Sequence, residues 1–181
     1  LYYSGPLFRR ERPQKGRQRQ FHQFGVEAFG SNNPEQDVEI IAIAWKILSL
    51  CGLANDTTLN LNSIGSNECR NNYRKALKNY LSPYIKDFSK TSQHRFDTNP
   101  LRILDTKSEK EQEIVNDAPK ISDYHNKTDS THFESLKEFL KDMGLPFSIN
   151  HKLVRGLDYY TGTVFAVSYT HLTLPTRDVV G

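Results

Sequence analysis

A helical block that interrupts strand-like sequence restricts the fold of this chain more than any other feature. Between residues 66 and 146, leucine-spaced helical segments alternate with polar connectors. Ser66 is suited to cap the first helix, and Gly144 follows the last one. Ser108 and Glu111 form a capping box before a later helix. Because the sequence on both sides has strand character, the order of elements predicts an α+β fold with a helical insertion.

The sequence before the insertion predicts a strand, a basic loop, a second strand, a helix and a third strand. Asn33 and Pro34 are suited to begin this helix, and Gly52 is suited to end it. Apolar residues cover much of the girth of the helix, so we expect it to pack deeply against a sheet. Strand character returns after the insertion, where residues 147–166 continue the sheet.

Composition excludes several classes of protein. No run of residues approaches the roughly 18 apolar residues of a membrane span, and the first residues do not form a signal peptide. Cys51 and Cys69 form no C-x-x-C pair and no cluster with histidines, so we predict no zinc site. Two unpatterned cysteines are typical of a reducing compartment, and we predict a cytoplasmic protein. The absence of an initiator methionine indicates that the natural start lies upstream.

Basic residues are concentrated in the loop between the first two strands. Guanidinium groups bind phosphate and carboxylate in two-point geometry, so this loop is suited to anions. The following strand alternates, which places Phe21, Gln23, Gly25 and Glu27 on one face. Arginines that bind anions, an amide and a carboxylate would together suit a zwitterionic small molecule beside a nucleotide. Arginine-rich hairpins also bind RNA directly, so RNA binding is an alternative. The basic residues of the loop are Arg9, Arg10, Arg12, Lys15, Arg17 and Arg19, against Glu11 alone.

Two long motifs resemble those of the histidine–tRNA ligases, which are class II aminoacyl-tRNA synthetases. Residues 8–27, from FRRERPQKGR to GVE, resemble motif 2 of this family. Residues 153–165, which begin LVRGLDYY and end TVF, resemble its signature peptide. Two long motifs in the correct order are far more specific than one short pattern. Shorter similarities to the bacterial-type enzyme lie at residues 61–65, 98–105 and 116–119.

The resemblance implies roles for the residues that match. Arg9 and Arg155 would be the catalytic residues. Their fixed positive charge at the α-phosphate of ATP would stabilise the negative charge there as the histidine carboxylate attacks. Glu27 and Tyr160 would bind the two imidazole nitrogens of histidine. The implied ATP-binding residues are Arg9, Glu11, Arg17, Phe21 and Arg155. The implied histidine-binding residues are Arg9, Gln23, Glu27, Arg155, Tyr159 and Tyr160.

The resemblance also implies an architecture and an activity. Residues 1–65 and 147–166 would be parts of an antiparallel β-sheet core, the catalytic domain of a class II synthetase, and residues 66–146 its insertion domain. The complete enzyme would use ATP with Mg²⁺, and no protein-ligated metal, to activate histidine and join it to tRNA(His). It would be a cytoplasmic homodimer.

Other motifs of the family are missing, so we expect an internal fragment that is inactive by itself. Residues 167–181 resemble translated sequencing-adapter sequence, and we predict that they are a non-native tail. The alternative function is that of a synthetase-like regulatory subunit of histidine biosynthesis, a non-catalytic histidine sensor.

Overall fold

A computed structural model describes residues 1–10, 12, 17–154 and 160–169. The chain divides into two compact units, one containing Leu1–Thr57 and the other Thr58–Ser168. The predicted boundaries of catalytic core, insertion domain and non-native tail stay predictions.

The first unit consists of a β-hairpin and a long helix. Strands β1 (Tyr2–Phe8) and β2 (Gln20–Val26) pair antiparallel, with Tyr2 opposite Val26 and Phe8 opposite Gln20. Helix α1 (Pro34–Leu50) begins with proline at its first turn, as predicted. Antiparallel pairing of these strands agrees with the sheet type that the resemblance implies.

Helix α1 is less buried than expected from the apolar residues on several of its sides. Within the described part of the chain, only Val38 and Ile41 of this helix are buried. The prediction of deep packing is therefore wrong. Two strands about 5 Å apart form a ribbon too narrow to cover a helix that is apolar on several sides.

A three-stranded sheet in the order β4–β3–β5 belongs mainly to the second unit. Strand β3 spans Thr57–Ser63, β4 spans Ser148–Ile149 and β5 spans Thr163–Tyr169. Strand β4 runs parallel to β3, with Leu61 opposite Ile149. This pair departs from the antiparallel core that the resemblance implies. A parallel pair needs a long crossover connection, and here the helical segment supplies it.

Four α-helices lie between β3 and β4. Ser66 caps the first by accepting a hydrogen bond from the amide of Cys69, as the sequence predicted. The last is capped by Asn126 and is followed by Gly144, which has φ of +68°. Tyr73, Leu77 and other residues of the first helix lie in the main apolar core of this unit. The helices are α2 (Asn67–Leu81), α3 (Lys90–Thr98), α4 (Glu109–Asn116) and α5 (Lys127–Asp142).

The capping box predicted for α4 is wrong. Ser108 stands at the N-cap position, but its side chain accepts no capping hydrogen bond. Glu111 is instead 3% exposed, and its carboxylate accepts hydrogen bonds from the Ser92 hydroxyl and the Ser89 amide, both at 2.7 Å. The Thr106 hydroxyl donates a third. Partners at the start of α3 and in the segment before α4 thus outweigh the predicted capping bond.

The two cysteines differ in exposure, and we expect them to differ in reactivity. Cys51 is exposed, whereas Cys69 is buried in α2. Burial, helped by the negative charge of Asp129, raises the pKa of the Cys69 thiol to about 11. Because the thiolate is the reactive form, iodoacetamide at about pH 8 should modify Cys51 and leave Cys69 unmodified in the folded protein. Peptide mass spectrometry measures this, and a urea-unfolded control should show both thiols modified; rapid modification of Cys69 in the folded protein would contradict the prediction.

No helix in the described ranges is both long and apolar enough to cross a lipid bilayer.

Candidate functional site

One face of the β1–β2 hairpin carries several of the predicted site residues. Residues directly opposite in an antiparallel pair project to the same face of the sheet. The register places Gly5 opposite Gln23 and Leu7 opposite Phe21. Phe21 and Gln23 are partly buried, whereas the alternate residue His22 is exposed. Phe21, Gln23 and Gly25 therefore share one partly buried face of β2, as the alternation of the sequence predicted.

Arg9 is fixed on this hairpin by its backbone and its side chain. Its amide donates to the carbonyl of Arg19 at 2.8 Å, which continues the pairing beyond β1. Its Nε donates to the carbonyl of Gln18 at 3.1 Å. Its guanidinium carbon lies 3.8 Å from the centroid of the Phe21 ring, a cation–π contact. The cation therefore has a defined position beside an aromatic ring.

Tyr3 belongs to this site, although it is not among the predicted residues. Its hydroxyl accepts a hydrogen bond of 2.7 Å from Nε2 of Gln23. Its ring covers Gly25, and a Cβ atom at that position would overlap the ring. The signal in the sequence was an aromatic residue placed opposite a glycine, but it is visible only once the register is known. The contact orients the Gln23 amide.

Glu27 lies beyond the end of β2 and is exposed. It lines an open cleft of about 570 Å³ between the hairpin and α1, together with apolar residues such as Phe24 and Ile40. Among the described residues predicted for the site, Glu27 alone lines this cleft. The structure thus places Arg9, Phe21 and Gln23 on one face of the hairpin, with Arg9 against Phe21, and places Glu27 beyond the end of β2 at the cleft.

The other predicted residues are only partly described. Glu11, Arg155 and Tyr159 lie outside the described residues. Arg17 is exposed in the loop of the hairpin. Tyr160 is 39% exposed and belongs to the second unit.

Residues 160–162 are attached to the start of α2. The guanidinium of Arg70 donates to the carbonyl of Tyr160. The amide of Ile64 donates to the carbonyl of Gly162 at 2.8 Å. The amide of Gly162 in turn donates to the carbonyl of Gly65 at 2.9 Å. Both glycines have positive φ, 62° for Gly65 and 69° for Gly162, a conformation that other residues rarely adopt. These bonds fix the backbone of Tyr160 within its unit.

The chain is similar to known synthetases over most of its length. Histidine–tRNA ligase of Cyanothece sp. is 52% identical over 172 residues, which are 95% of this chain and 40% of that protein. The ligase of Protochlamydia amoebophila is 51% identical over 92% of this chain and 39% of its own length. The crystal structure of apo S. aureus histidyl-tRNA synthetase has a TM-score of 0.69 and 38% identity, covering 92% of this chain and 38% of that one.

These similarities place the fold in the class II aminoacyl-tRNA synthetases. The sequence model of the histidyl-tRNA synthetase family matches residues 1–173. The chain belongs to this family. It spans about 40% of the length of the curated relatives it matches.

Proposed function

We propose that the protein acts as a histidine–tRNA ligase. The histidine carboxylate attacks the α-phosphorus of ATP, the bond to the β-phosphate breaks, and pyrophosphate leaves. The 3′ end of tRNA(His) then attacks the carbonyl of histidyl-adenylate, and AMP leaves. The observation that carries the proposal is the placement of Arg9, Phe21 and Gln23 on one face of the hairpin in a chain of this family.

In this proposal Arg9 supplies fixed positive charge at the α-phosphate. The attacking carboxylate is already ionised, so this step needs positioning and charge stabilisation more than proton transfer. The stacking of Arg9 on Phe21 supports this role, because it holds the guanidinium in one place. Phe21 can offer the rest of its ring to adenine. Arg155 would act as the second cation, and Glu11 and Arg17 would bind other parts of ATP.

Gln23 is assigned to the amino group of histidine, and the Tyr3 hydroxyl keeps its amide in place. Glu27, Tyr159 and Tyr160 would bind the remainder of the amino acid. Polar partners on both imidazole nitrogens would exclude amino acids without this ring, because those partners would be left unpaired.

Mg²⁺ enters this proposal as the counter-ion of the ATP phosphates. No group of three or more His, Cys, Asp or Glu side chains that could hold a metal is found in the described ranges. No described residue is therefore assigned to the ion. We further propose that the complete protein works in the cytoplasm as a homodimer.

The test uses the complete gene product that contains this sequence. We expect it to exchange labelled pyrophosphate into ATP when histidine is present and to charge tRNA(His). Exchange with other amino acids and without an amino acid are the controls. Histidine binding without exchange would overturn the proposal and indicate a histidine sensor instead.

A further inference from the structure

An open space lies at Gly5, on the face of the β1–β2 hairpin that carries Gln23. Gly5 stands directly opposite Gln23, so both belong to one face of the ribbon. A Cβ atom built on Gly5 would meet no atom of the described residues within 4 Å, apart from its own chain neighbours. On this face Gly5 is flanked along β1 by Tyr3 and by Leu7. We call this space the Gly5 gap.

The second glycine of this face, Gly25, has a different role. It stands opposite Tyr3, and a Cβ atom there would overlap the Tyr3 ring and hydroxyl. The missing side chain lets the ring lie against β2, where its hydroxyl accepts a hydrogen bond of 2.7 Å from Nε2 of Gln23. Gly25 thus makes room for a contact within the protein, whereas Gly5 faces open space beside the Gln23 side chain.

We propose that the Gly5 gap receives the α-amino group of histidine, and that Tyr3 is the positioning residue for the Gln23 amide that binds this group. The inference rests on the proposed function and deepens it. It gives the amino group a place on the hairpin and assigns the rejection of ligands without an amino group to Gly5 and Tyr3.

The hydrogen bonding of Gln23 suits a cationic ligand. An amide offers donors on its nitrogen and acceptors on its oxygen, whereas an ammonium group offers donors only. Because Nε2 of Gln23 is bonded to the Tyr3 hydroxyl, Oε1 is left as the acceptor, and no hydrogen bond to it is found in the described part of the chain. A phenylalanine at position 3 could not accept this bond, so the amide could turn its N–H groups towards the ammonium.

The order of groups along this face suits an amino acid that reacts with a phosphate. Successive residues on one face of a strand are roughly 7 Å apart. Leu7 is one such step from the Gly5 gap, and it stands opposite Phe21, on whose ring the Arg9 guanidinium is stacked. In the proposed reaction the amino group, the carboxylate and the α-phosphorus follow one another. An amino group in the gap therefore allows the carboxylate to lie towards Arg9.

The first experiment compares histidine with imidazolepropionate, its analogue without the amino group, in the complete gene product. Pyrophosphate exchange gives KM for histidine, and inhibition of this exchange gives Ki for the analogue. Tyr3→Phe should raise KM for histidine about 10-fold, the effect of losing a hydrogen bond that serves a charged group, while Ki for imidazolepropionate changes less than about 2-fold. Ser4→Ala removes an exposed hydroxyl from the other face of β1, and this matched control should change neither value.

The second experiment fills the gap with a methyl group. Gly5 lies in β1 and is not among the glycines with positive φ, so its backbone conformation is open to alanine. Gly5→Ala should raise KM for histidine at least about 10-fold. Ki for imidazolepropionate should change less than about 2-fold, because this ligand places no amino group in the gap.

A third variant tests the contact between Tyr3 and Gln23 by another route. Gly25→Ala should displace the Tyr3 ring from Gln23 and reproduce the rise in KM for histidine of Tyr3→Phe. Because both changes remove the same contact, the double variant should raise KM for histidine no further than either single change. Additive effects would show that Tyr3 and Gly25 act independently and would overturn the positioning role of Tyr3.

Two other results would overturn the inference. Distortion of the hairpin would affect histidine and imidazolepropionate equally, so equal changes in both would count against the gap, as would an unchanged KM for histidine. If Gly5→Ala fails to fold, Tyr3→Phe still decides, since it removes one hydroxyl from a side chain that is 44% exposed. A wild-type protein without histidine-dependent exchange would overturn the proposed function. Calorimetric binding of the two ligands to the same variants would then decide the role of the gap separately.

Discussion

Replacing Arg9 by alanine is expected to lower the rate of histidyl-adenylate formation by roughly 100- to 1,000-fold, the cost of removing one preorganised charge-stabilising group. The side chain stacks on Phe21 and bonds to the carbonyl of Gln18, so its charge is held in place before substrates bind. Histidine-dependent pyrophosphate exchange by the complete gene product measures the effect. Arg9→Lys should recover only part of the rate, because an ammonium lacks the planar fork of arginine.

Arg10→Ala is the matched control for Arg9. Arg10 is the next residue, is exposed, and carries the same charge. Because pyrophosphate exchange does not require tRNA, this variant should retain a rate within about 2-fold of the wild type even if Arg10 contacts RNA. Equal losses in both variants would indicate a general effect of net charge. A nearly unaltered rate in Arg9→Ala would remove the central residue of the proposed function.

Replacing Glu111 by alanine is expected to destabilise the second unit by about 3–4 kcal/mol. The substitution leaves the Ser89 amide and the hydroxyls of Ser92 and Thr106 without their shared acceptor. Glu111→Gln keeps one oxygen and should cost less, about 1–2 kcal/mol. Urea unfolding followed by circular dichroism measures the difference. Glu113→Ala, on the exposed face of the same helix, should change stability by less than about 0.5 kcal/mol.

The same carboxylate should make stability depend on pH. Burial by itself raises the pKa of Glu111, but hydrogen bonds from Thr106, Ser89 and Ser92 outweigh burial and lower the pKa below its usual value of 4.5. The stabilisation is therefore fully present above the unfolded-state pKa and is lost as the pH falls through the lower, folded-state value. Wild-type protein should lose stability on acidification more steeply than Glu111→Gln. Parallel pH profiles for the two proteins would show that Glu111 is not the group that titrates.

Local sequence signals predicted much of this fold correctly. Ser66 caps α2 and Pro34 begins α1, because caps and first-turn preferences involve groups only a few residues apart. The alternation in β2 placed Phe21 and Gln23 on one face for the same reason.

Predictions failed where a side chain has a distant partner. Glu111 matched a local capping box, yet it bonds to Ser89, Ser92 and Thr106. In the candidate site, the contact of Tyr3 with Gln23 depends on the register of two strands, which the sequence does not specify. The hydrogen-bond partners of Asn62, the carbonyls of His151 and Leu153, lie beyond the helical insertion. Long-range partners need a tertiary structure before they can be identified.

The parallel pairing of β4 with β3 has a consequence for synthesis on the ribosome. Leu61 cannot meet Ile149 until the whole intervening chain has been translated. Closing so large a loop is entropically costly unless the helices have already compacted it. We expect the helical insertion to collapse first during translation and β4 to join the sheet afterwards. A ribosome paused before Ser148 would then carry a nascent chain in which the edge of β3 that pairs with β4 is still unpaired.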